Sequence, residues 1–229
     1  AQSALFAACQ CLLDPGDEVI VPEPMYVTYP ATIAAAGAGL VRVPLRAERG
    51  FHVDLEALAA AVTPRTRAIL LNSPHNPTGA VMTRHELEVV AQLCRRHELW
   101  LISDEVYASL VFEGEHVVPA ALPGMADRTV TISSLSKSHA MTGWRLGWLI
   151  GPAELARHVG LLTLCMLYGS PAFIQDAAVE ALTHEHAEVA AMHERYRRRR
   201  DAVCRRLAGL PGLACTRPKG GMFVMLDIR

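Results

Sequence analysis

The chain has 229 residues, a formal net charge of −1, 51% hydrophobic residues and 20% charged residues. That length supports one substantial core, on a prior of roughly 150 residues per domain, with room for part of a second. The near-neutral balance removes any electrostatic case for nucleic acid or an anionic membrane as partner, and no run of about 18 apolar residues or basic-then-apolar leader is present, so the expectation is a cytoplasmic protein acting on a small molecule. Cys9, Cys11, Cys94, Cys165, Cys204 and Cys215 show no C-x-x-C spacing and fall mostly in apolar helical patterns. They read as reduced core thiols rather than a metal or redox centre.

The chain opens on an Ala-rich apolar helix over 3–13, stopped by the turn residues Asp14, Pro15, Gly16 and Asp17. If that helix begins at Gln2, its first free N–H groups make an anion site beside Ala1. A short buried strand follows over 18–22, and Tyr26 is expected to open a helix running to about Ala36. An aromatic at that corner can cover the face of a planar ring. Tyr29 reads as core packing, with a role at the site as the alternative. Strands over 40–44 and 67–72 with a helix over 55–62 between them alternate as βαβ units do, which predicts a mostly parallel sheet covered by helices.

After the strand over 67–72 comes Asn72, Ser73, Pro74, His75, Asn76, Pro77, Thr78 and Gly79, a rigid turn at a strand's carboxyl end. Thr83 with Glu86 three residues on predicts a capping box at the head of a packing helix over 83–97. The apolar strand over 99–103 then delivers Asp104, Glu105, Val106 and Tyr107. A carboxylate at the end of a buried strand requires a partner, because a lone buried charge is costly. Glu105 is expected to pack or form a salt bridge.

The most informative stretch is TVTISSLSKSHAMTGWRLGWLIG over 129–151. A buried strand over 129–133 empties through Ser134 onto Lys137, placing an amine where a parallel strand ends, the edge at which open α/β sheets bind ligands. An amine desolvated there becomes a nucleophile for Schiff-base formation. Ser134 offers a hydroxyl, and Arg145, eight residues past the Lys, a guanidinium fork for a phosphate. The set suits a phosphorylated aldehyde.

Helices are expected over 152–167, 171–183 and 186–208, broken by Tyr168, Gly169, Ser170 and Pro171. The run Tyr196 to Asp201 with four consecutive arginines reads as a solvated helix face rather than a nucleic-acid patch. His184 and His186, two apart, suit a metal only in a strand. A strand from Gly220 is expected to begin a second, smaller domain. The division is 1–185 for the large domain and 186–229 for a linking helix and the start of the small one. Both ends of the chain read as cut, which points to a piece of a longer protein.

Ser134, Lys137 and Arg145 at this spacing, flanked by Thr142, Gly143, Trp144 and Gly147, together with Asn76-Pro77-Thr78-Gly79 and Asp104, resemble the class I/II aminotransferases, pyridoxal-phosphate enzymes of fold type I. The resemblance implies pyridoxal phosphate bound to Lys137 as a Schiff base, with Lys137 then acting as the base that moves the substrate's α-proton. It implies Asp104 on the pyridine nitrogen, Tyr26 stacked on the ring, Asn76 and Tyr107 at the 3′ oxygen, and Ser134, Arg145, Ala1 and Gln2 at the phosphate. The Gly that the family carries before Ala1 is not in this sequence. A homodimer is implied, its contact near the break at Tyr168.

Stretches over 17–29, 122–128, 135–148 and 164–177 resemble the arginine–pyruvate aminotransferases within that family, which implies L-arginine as donor and pyruvate as acceptor in a ping-pong reaction. The Arg that clamps the substrate carboxylate in the family is expected beyond Arg229. Aspartate-type or broad-specificity transamination, a pyridoxal-phosphate β-lyase, and a ligand-binding module that kept the fold are the alternatives.

Overall fold

The computed structural model describes residues 1–228. Helix α1 (Gln2–Leu12) precedes strand β1 (Glu18–Glu23), and the turn between them closes with the Asp14 amide donating to Asp17 Oδ2 at 2.9 Å. Then come α2 (Tyr29–Ala35), β2 (Gly39–Pro44), α3 (Leu55–Ala60), β3 (Thr66–Asn72), α4 (Arg84–Arg96), β4 (Trp100–Asp104), β5 (Thr129–Ser134) and α5 (Leu135–Ser138). The chain continues through β6 (Gly147–Ile150), α6 (Ala153–Leu167), α7 (Ala172–Thr183), α8 (Ala187–Leu207), β7 (Ala214–Cys215) and β8 (Leu226–Asp227).

Six strands form one sheet in the order β2-β1-β3-β4-β5-β6, parallel except for β6, which runs antiparallel to β5. Runs such as Ile69, Leu70 and Leu71 are buried on both sides, the condition a parallel sheet needs. On one face Leu5, Ala8 and Leu12 of α1, Ile33 of α2 and Leu155 of α6 pack over Val19, Leu70 and Ile132. On the other, Leu58 of α3 and Leu87, Val90 and Cys94 of α4 cover Ile20, Ile69 and Leu101. The capping box at the head of α4 is formed as expected, Thr83 Oγ1 accepting from the Glu86 amide at 3.2 Å and Glu86 Oε2 from the Thr83 amide at 2.7 Å.

Several expectations are corrected. The helix expected from Tyr26 begins at Tyr29, because Thr28 occupies the cap position and Pro30, with its fixed φ, starts the first turn. The antiparallel strand β6 has no counterpart in the sequence reading; four residues after a tight reversal carry too little pattern to register. The strand expected from Gly220 does not form there. The Gly220 and Gly221 amides instead donate to Gly79 O at 3.0 Å and Leu110 O at 2.8 Å, and Gly220 makes one isolated antiparallel bridge with Val111, so this backbone is spent on loops of the main sheet, while Leu226–Asp227 pairs with β7.

Two further corrections concern side chains. Arg200, inside the run expected to be solvated, is 6% exposed. Its neighbours Arg198 and Arg199 do face solvent, since adjacent residues on a helix point about 100° apart. All six cysteines are free, but only Cys9 and Cys94 are buried, and Cys165 on α6 is exposed. Burial pushes the Cys9 and Cys94 thiols up to about 12, which keeps them protonated and inert. Among the described residues no helix is long and apolar enough to cross a membrane, and no three His, Cys, Asp or Glu side chains gather as a metal site.

Candidate active site

The carboxyl ends of β3, β4 and β5 lie side by side, with Asn72 in register with Asp104 and Asp104 with Ile132. β1 lies between β2 and β3, so the chain's winding direction reverses there, and in open α/β sheets a crevice opens at the carboxyl ends beside such a reversal. Here that crevice is a cavity of about 360 Å³. All nine residues singled out from the sequence, Ala1, Gln2, Tyr26, Asn76, Asp104, Tyr107, Ser134, Lys137 and Arg145, line it. They come from separate positions spanning most of the chain, and the sheet brings them to one edge.

Asp104 ends β4 and is 7% exposed. Its Oδ1 accepts from the Val106 amide at 3.2 Å and its Oδ2 from the Tyr29 hydroxyl at 2.7 Å. Burial raises the Asp104 carboxyl above its ordinary value, and those two donors oppose the rise without cancelling it. Among the described residues no cationic side chain pairs with it, so the charge it would carry is only partly compensated.

The turn after β3 is tied to the same strand end. Asn72 Nδ2 donates to Asp104 O at 2.9 Å, while Asn72 Oδ1 accepts the Asn76 amide at 2.7 Å. Asn76 Nδ2 thereby reaches the Tyr107 hydroxyl at 3.5 Å. Burial, with the Asp104 carboxylate next in weight, pushes Tyr107 up to about 12, so its hydroxyl keeps its proton. The two side chains present an amide and a phenol to one point of the cavity.

Tyr26 stands at the rim, 36% exposed, its ring edge-on to Tyr29 with centroids 5.6 Å apart. Ser134 is buried at the end of β5, and its carbonyl accepts the Ser138 hydroxyl at 3.2 Å, which closes α5 around Lys137. Arg145 sits at φ +53°, an uncommon left-handed conformation for a residue with a side chain, and Nη1 donates to Thr142 O at 2.7 Å. The turn is thus folded back on itself with the guanidinium at the cavity. Gly147 then passes so close to β5 that a Cβ would lie 2.7 Å from Ser133 O. Gln2 opens α1, and its side chain is held by α2, Nε2 donating to Thr32 Oγ1 at 3.1 Å and Oε1 accepting from Thr28 Oγ1 at 2.8 Å. Glu105 points to the other face of the strand, its Oε1 accepting the Ser103 hydroxyl at 2.9 Å and its Oε2 lying 2.8 Å from His116 Nε2, a packed position of the kind expected.

Sequence reasoning missed three residues that shape the cavity. Tyr29, read as core with a site role only as the alternative, supplies the donor to Asp104; its place three residues past Tyr26 was the available signal. Asn72, the last residue of β3, carries the same strand-end signal as Asp104. Phe223 also lines the cavity, its ring edge-on to Tyr107 at 6.3 Å between centroids, and nothing local in the sequence announces it.

A buried carboxylate, an amine, a polar pair and a guanidinium beside a helix start fit a flat, anionic, nitrogen-containing ring compound. Comparison with known proteins agrees. The sequence is 64% identical over 229 residues to the arginine–pyruvate transaminase of Pseudomonas aeruginosa, covering 100% of this chain and 58% of that protein. It is 41% identical over 229 residues to an aspartate/prephenate aminotransferase of Thermus thermophilus, covering 99% of this chain and 59% of that one. Among solved structures, a double mutant of Thermus thermophilus aspartate aminotransferase superposes with a TM-score of 0.95 at 41% identity, over 99% of this chain and 59% of that chain. An N-succinyldiaminopimelate aminotransferase from Mycobacterium tuberculosis does so with 0.91 at 44% identity, over 96% and 57%. The chain therefore spans a little under three fifths of the length of these relatives. The family described as aminotransferase class I and II matches residues 1–229, and the chain belongs to it, with the mostly parallel, helix-covered sheet of fold type I.

Proposed function

We propose that the protein carrying this chain is a pyridoxal-phosphate-dependent aminotransferase that takes the amino group of L-arginine and passes it to pyruvate by a ping-pong reaction. The observation that carries the reaction class is the single cavity in which Lys137 shares walls with buried Asp104 and the Asn76–Tyr107 pair. The 64% identity to an arginine–pyruvate transaminase supports the choice of substrates.

In this reading Asp104 would face the ring nitrogen and hold a proton there, Tyr26 would cover the ring face, and the Asn76 amide and Tyr107 hydroxyl would donate to the 3′ oxygen. Ser134, Arg145 and the first amides of α1, at Ala1 and Gln2, would receive the phosphate. Lys137 Nζ would hold the aldehyde. The bound cofactor supplies an electron sink for charge left when the substrate loses its α-proton. Lys137 Nζ, once the donor's amine has taken its place on the aldehyde, would be the base within reach of the α-proton, a role worth roughly 10² to 10⁴ in rate for a positioned base. Burial of Tyr107 and Asp104 keeps water from competing at those atoms.

The reading extends to the assembly. Leu161, Leu164 and Leu167 of α6 and Phe173, Val179 and Leu182 of α7 are each more than half exposed, apolar side chains on consecutive helices that a partner subunit would cover, which supports a homodimer. It also divides the protein into a large cofactor domain over 1–185 and a linking helix with the start of a small domain from 186. Free thiols, Cys165 exposed among them, fit a reducing cytoplasm.

The test is an absorbance titration of the full-length protein with pyridoxal phosphate, then L-arginine, then pyruvate. Expected is a band from the lysine-bound cofactor that falls with the first substrate and returns with the second, and borohydride should fix the label on Lys137. A spectrum indifferent to both substrates would overturn the assignment, and oxo-acid release without an acceptor would make the protein a lyase.

A further inference from the structure

Arg200 lies on α8, outside the cavity, yet its side chain is only 5% exposed. Removing a guanidinium from water costs several kcal/mol unless its donors are met. Here they are. Nη1 donates to Glu113 Oε1 and to Pro218 O, both at 2.8 Å, Nε donates to Asp201 Oδ1 at 2.8 Å, and the cation sits 5.2 Å from the centre of the Phe112 ring. Arg217 joins the same cluster, reaching Glu113 at 3.0 Å and Asp201 at 2.9 Å.

What this cluster grips is the strap over 217–221. The Lys219 and Gly220 amides both donate to Gly79 O, at 2.9 and 3.0 Å, and Lys219 O accepts the Phe112 and Glu113 amides at 2.7 and 3.1 Å. The strap is therefore wedged between the turn that carries Asn76 and the loop that carries Tyr107. Gly220 allows the wedge, since a Cβ there would lie 2.8 Å from both Leu110 O and Pro74 Cγ. Two residues beyond the strap, Phe223 meets the Tyr107 ring and closes one side of the cavity.

We propose that Arg200 is a positioning residue of the reaction: by clasping Pro218 and Glu113 it seats the strap, and the strap sets Phe223 as a wall of the substrate cavity. The substrate-binding part of this statement rests on the aminotransferase reading above; the seating of the strap does not. A wall that touches bound substrate and transition state alike contributes uniform binding, so its loss raises KM and spares kcat. A mere folding defect does the reverse, lowering apparent kcat with KM unchanged.

The experiment compares Arg200→Gln, Arg200→Lys, Phe223→Ala, the Arg200→Gln/Phe223→Ala double variant and the surface control Arg195→Gln in the full chain loaded with pyridoxal phosphate. Expected for Arg200→Gln is a KM for the amino donor raised roughly tenfold with kcat within about threefold, the same sign for Phe223→Ala, and a double variant no worse than the stronger single one. Arg200→Lys, which keeps the charge but not the fork, should recover part of the loss, and Arg195→Gln should change nothing. Hydrogen exchange gives a readout independent of turnover: the Phe112, Glu113, Lys219 and Gly220 amides should exchange at least roughly tenfold faster in Arg200→Gln. Unchanged exchange at those amides, or a fall in kcat at constant KM, overturns the proposal, and additive effects of Arg200→Gln and Phe223→Ala do so too. If Arg200→Gln fails to fold, Arg200→Lys serves the same comparisons. Absence of turnover in the parent with the expected exchange pattern would strike the aminotransferase reading and leave the strap's anchor standing.

Discussion

The Tyr29 hydroxyl donates to Oδ2 of Asp104 at 2.7 Å, a contact between the start of α2 and the end of β4 that is buried on both sides. Burial, then the Asp104 charge, raises the Tyr29 phenol well above its ordinary value, so it remains a donor at any pH of interest. Tyr29→Phe would leave Oδ2 without that partner. The expected cost is about 1–3 kcal/mol of stability, the range for orphaning a buried acceptor, with weaker binding of pyridoxal phosphate. Denaturant unfolding and a cofactor titration check the two halves, and a fully stable variant would show that water replaces the hydroxyl.

Asp104→Asn should separate stability from binding. The folded carboxyl is raised, so the native state binds its proton more tightly than the unfolded chain and this group erodes stability as pH rises through its folded pKa. The cofactor-free variant is expected to melt above the parent at pH 7, with the difference vanishing below about pH 3.8, the ordinary value of the group. An amide can still accept from Val106 and donate to the Tyr29 oxygen. Pyridoxal phosphate should bind roughly tenfold or more weakly, as loss of a charge-assisted hydrogen bond implies. Melting curves from pH 3 to 8 decide the first point; a variant less stable than the parent at neutral pH contradicts it.

The capping box offers a control far from the chemistry. Thr83→Ala is expected to cost about 1 kcal/mol with no change in cofactor affinity. Burial alone would raise Glu86, but the His52 and Thr83 donors overcome it and hold the group at about 2. Its contribution is therefore complete above about pH 4.5 and fades as pH falls toward 2, and Glu86→Gln should flatten that part of the stability profile.

Gly79 sits at φ +72°, and a Cβ there would strike Pro218 and lie 2.9 Å from Gly220 O. Gly79→Ala is expected to destabilise by about 2 kcal/mol or more, from the left-handed backbone and the displaced strap. It should also loosen the Lys219 and Gly220 amides in hydrogen exchange. A neutral effect on both would mean the turn shifts freely.

Much of the site was legible because its chemistry lies at strand ends, where short apolar runs stop at a polar residue. Asp104 after Leu101-Ile102-Ser103 and Lys137 after the strand ending at Ser134 both announce a sheet edge, and the Asn76-Pro77-Thr78-Gly79 turn does the same. Tyr29 is both core and site, because its environment is apolar at the ring and polar only at one atom, and sequence cannot tell which atom a buried phenol spends its proton on. Arg200 was misread for a related reason: four consecutive arginines look equivalent until a helix turns one of them inward, onto Glu113 and Pro218.

By itself the sequence determined the local elements, through periodicity, capping and turn residues, together with the polar and charged residue types that stand at the strand ends. Only the tertiary structure decided which of those residues share a cavity, that Phe223 joins them, and that the backbone over 217–221 pairs with loops instead of a strand. The reason is range. Propensity and patterning act over a few residues, whereas the contacts between Gly79 and Gly220, or Tyr29 and Asp104, depend on a parallel sheet first bringing distant strand ends to one edge.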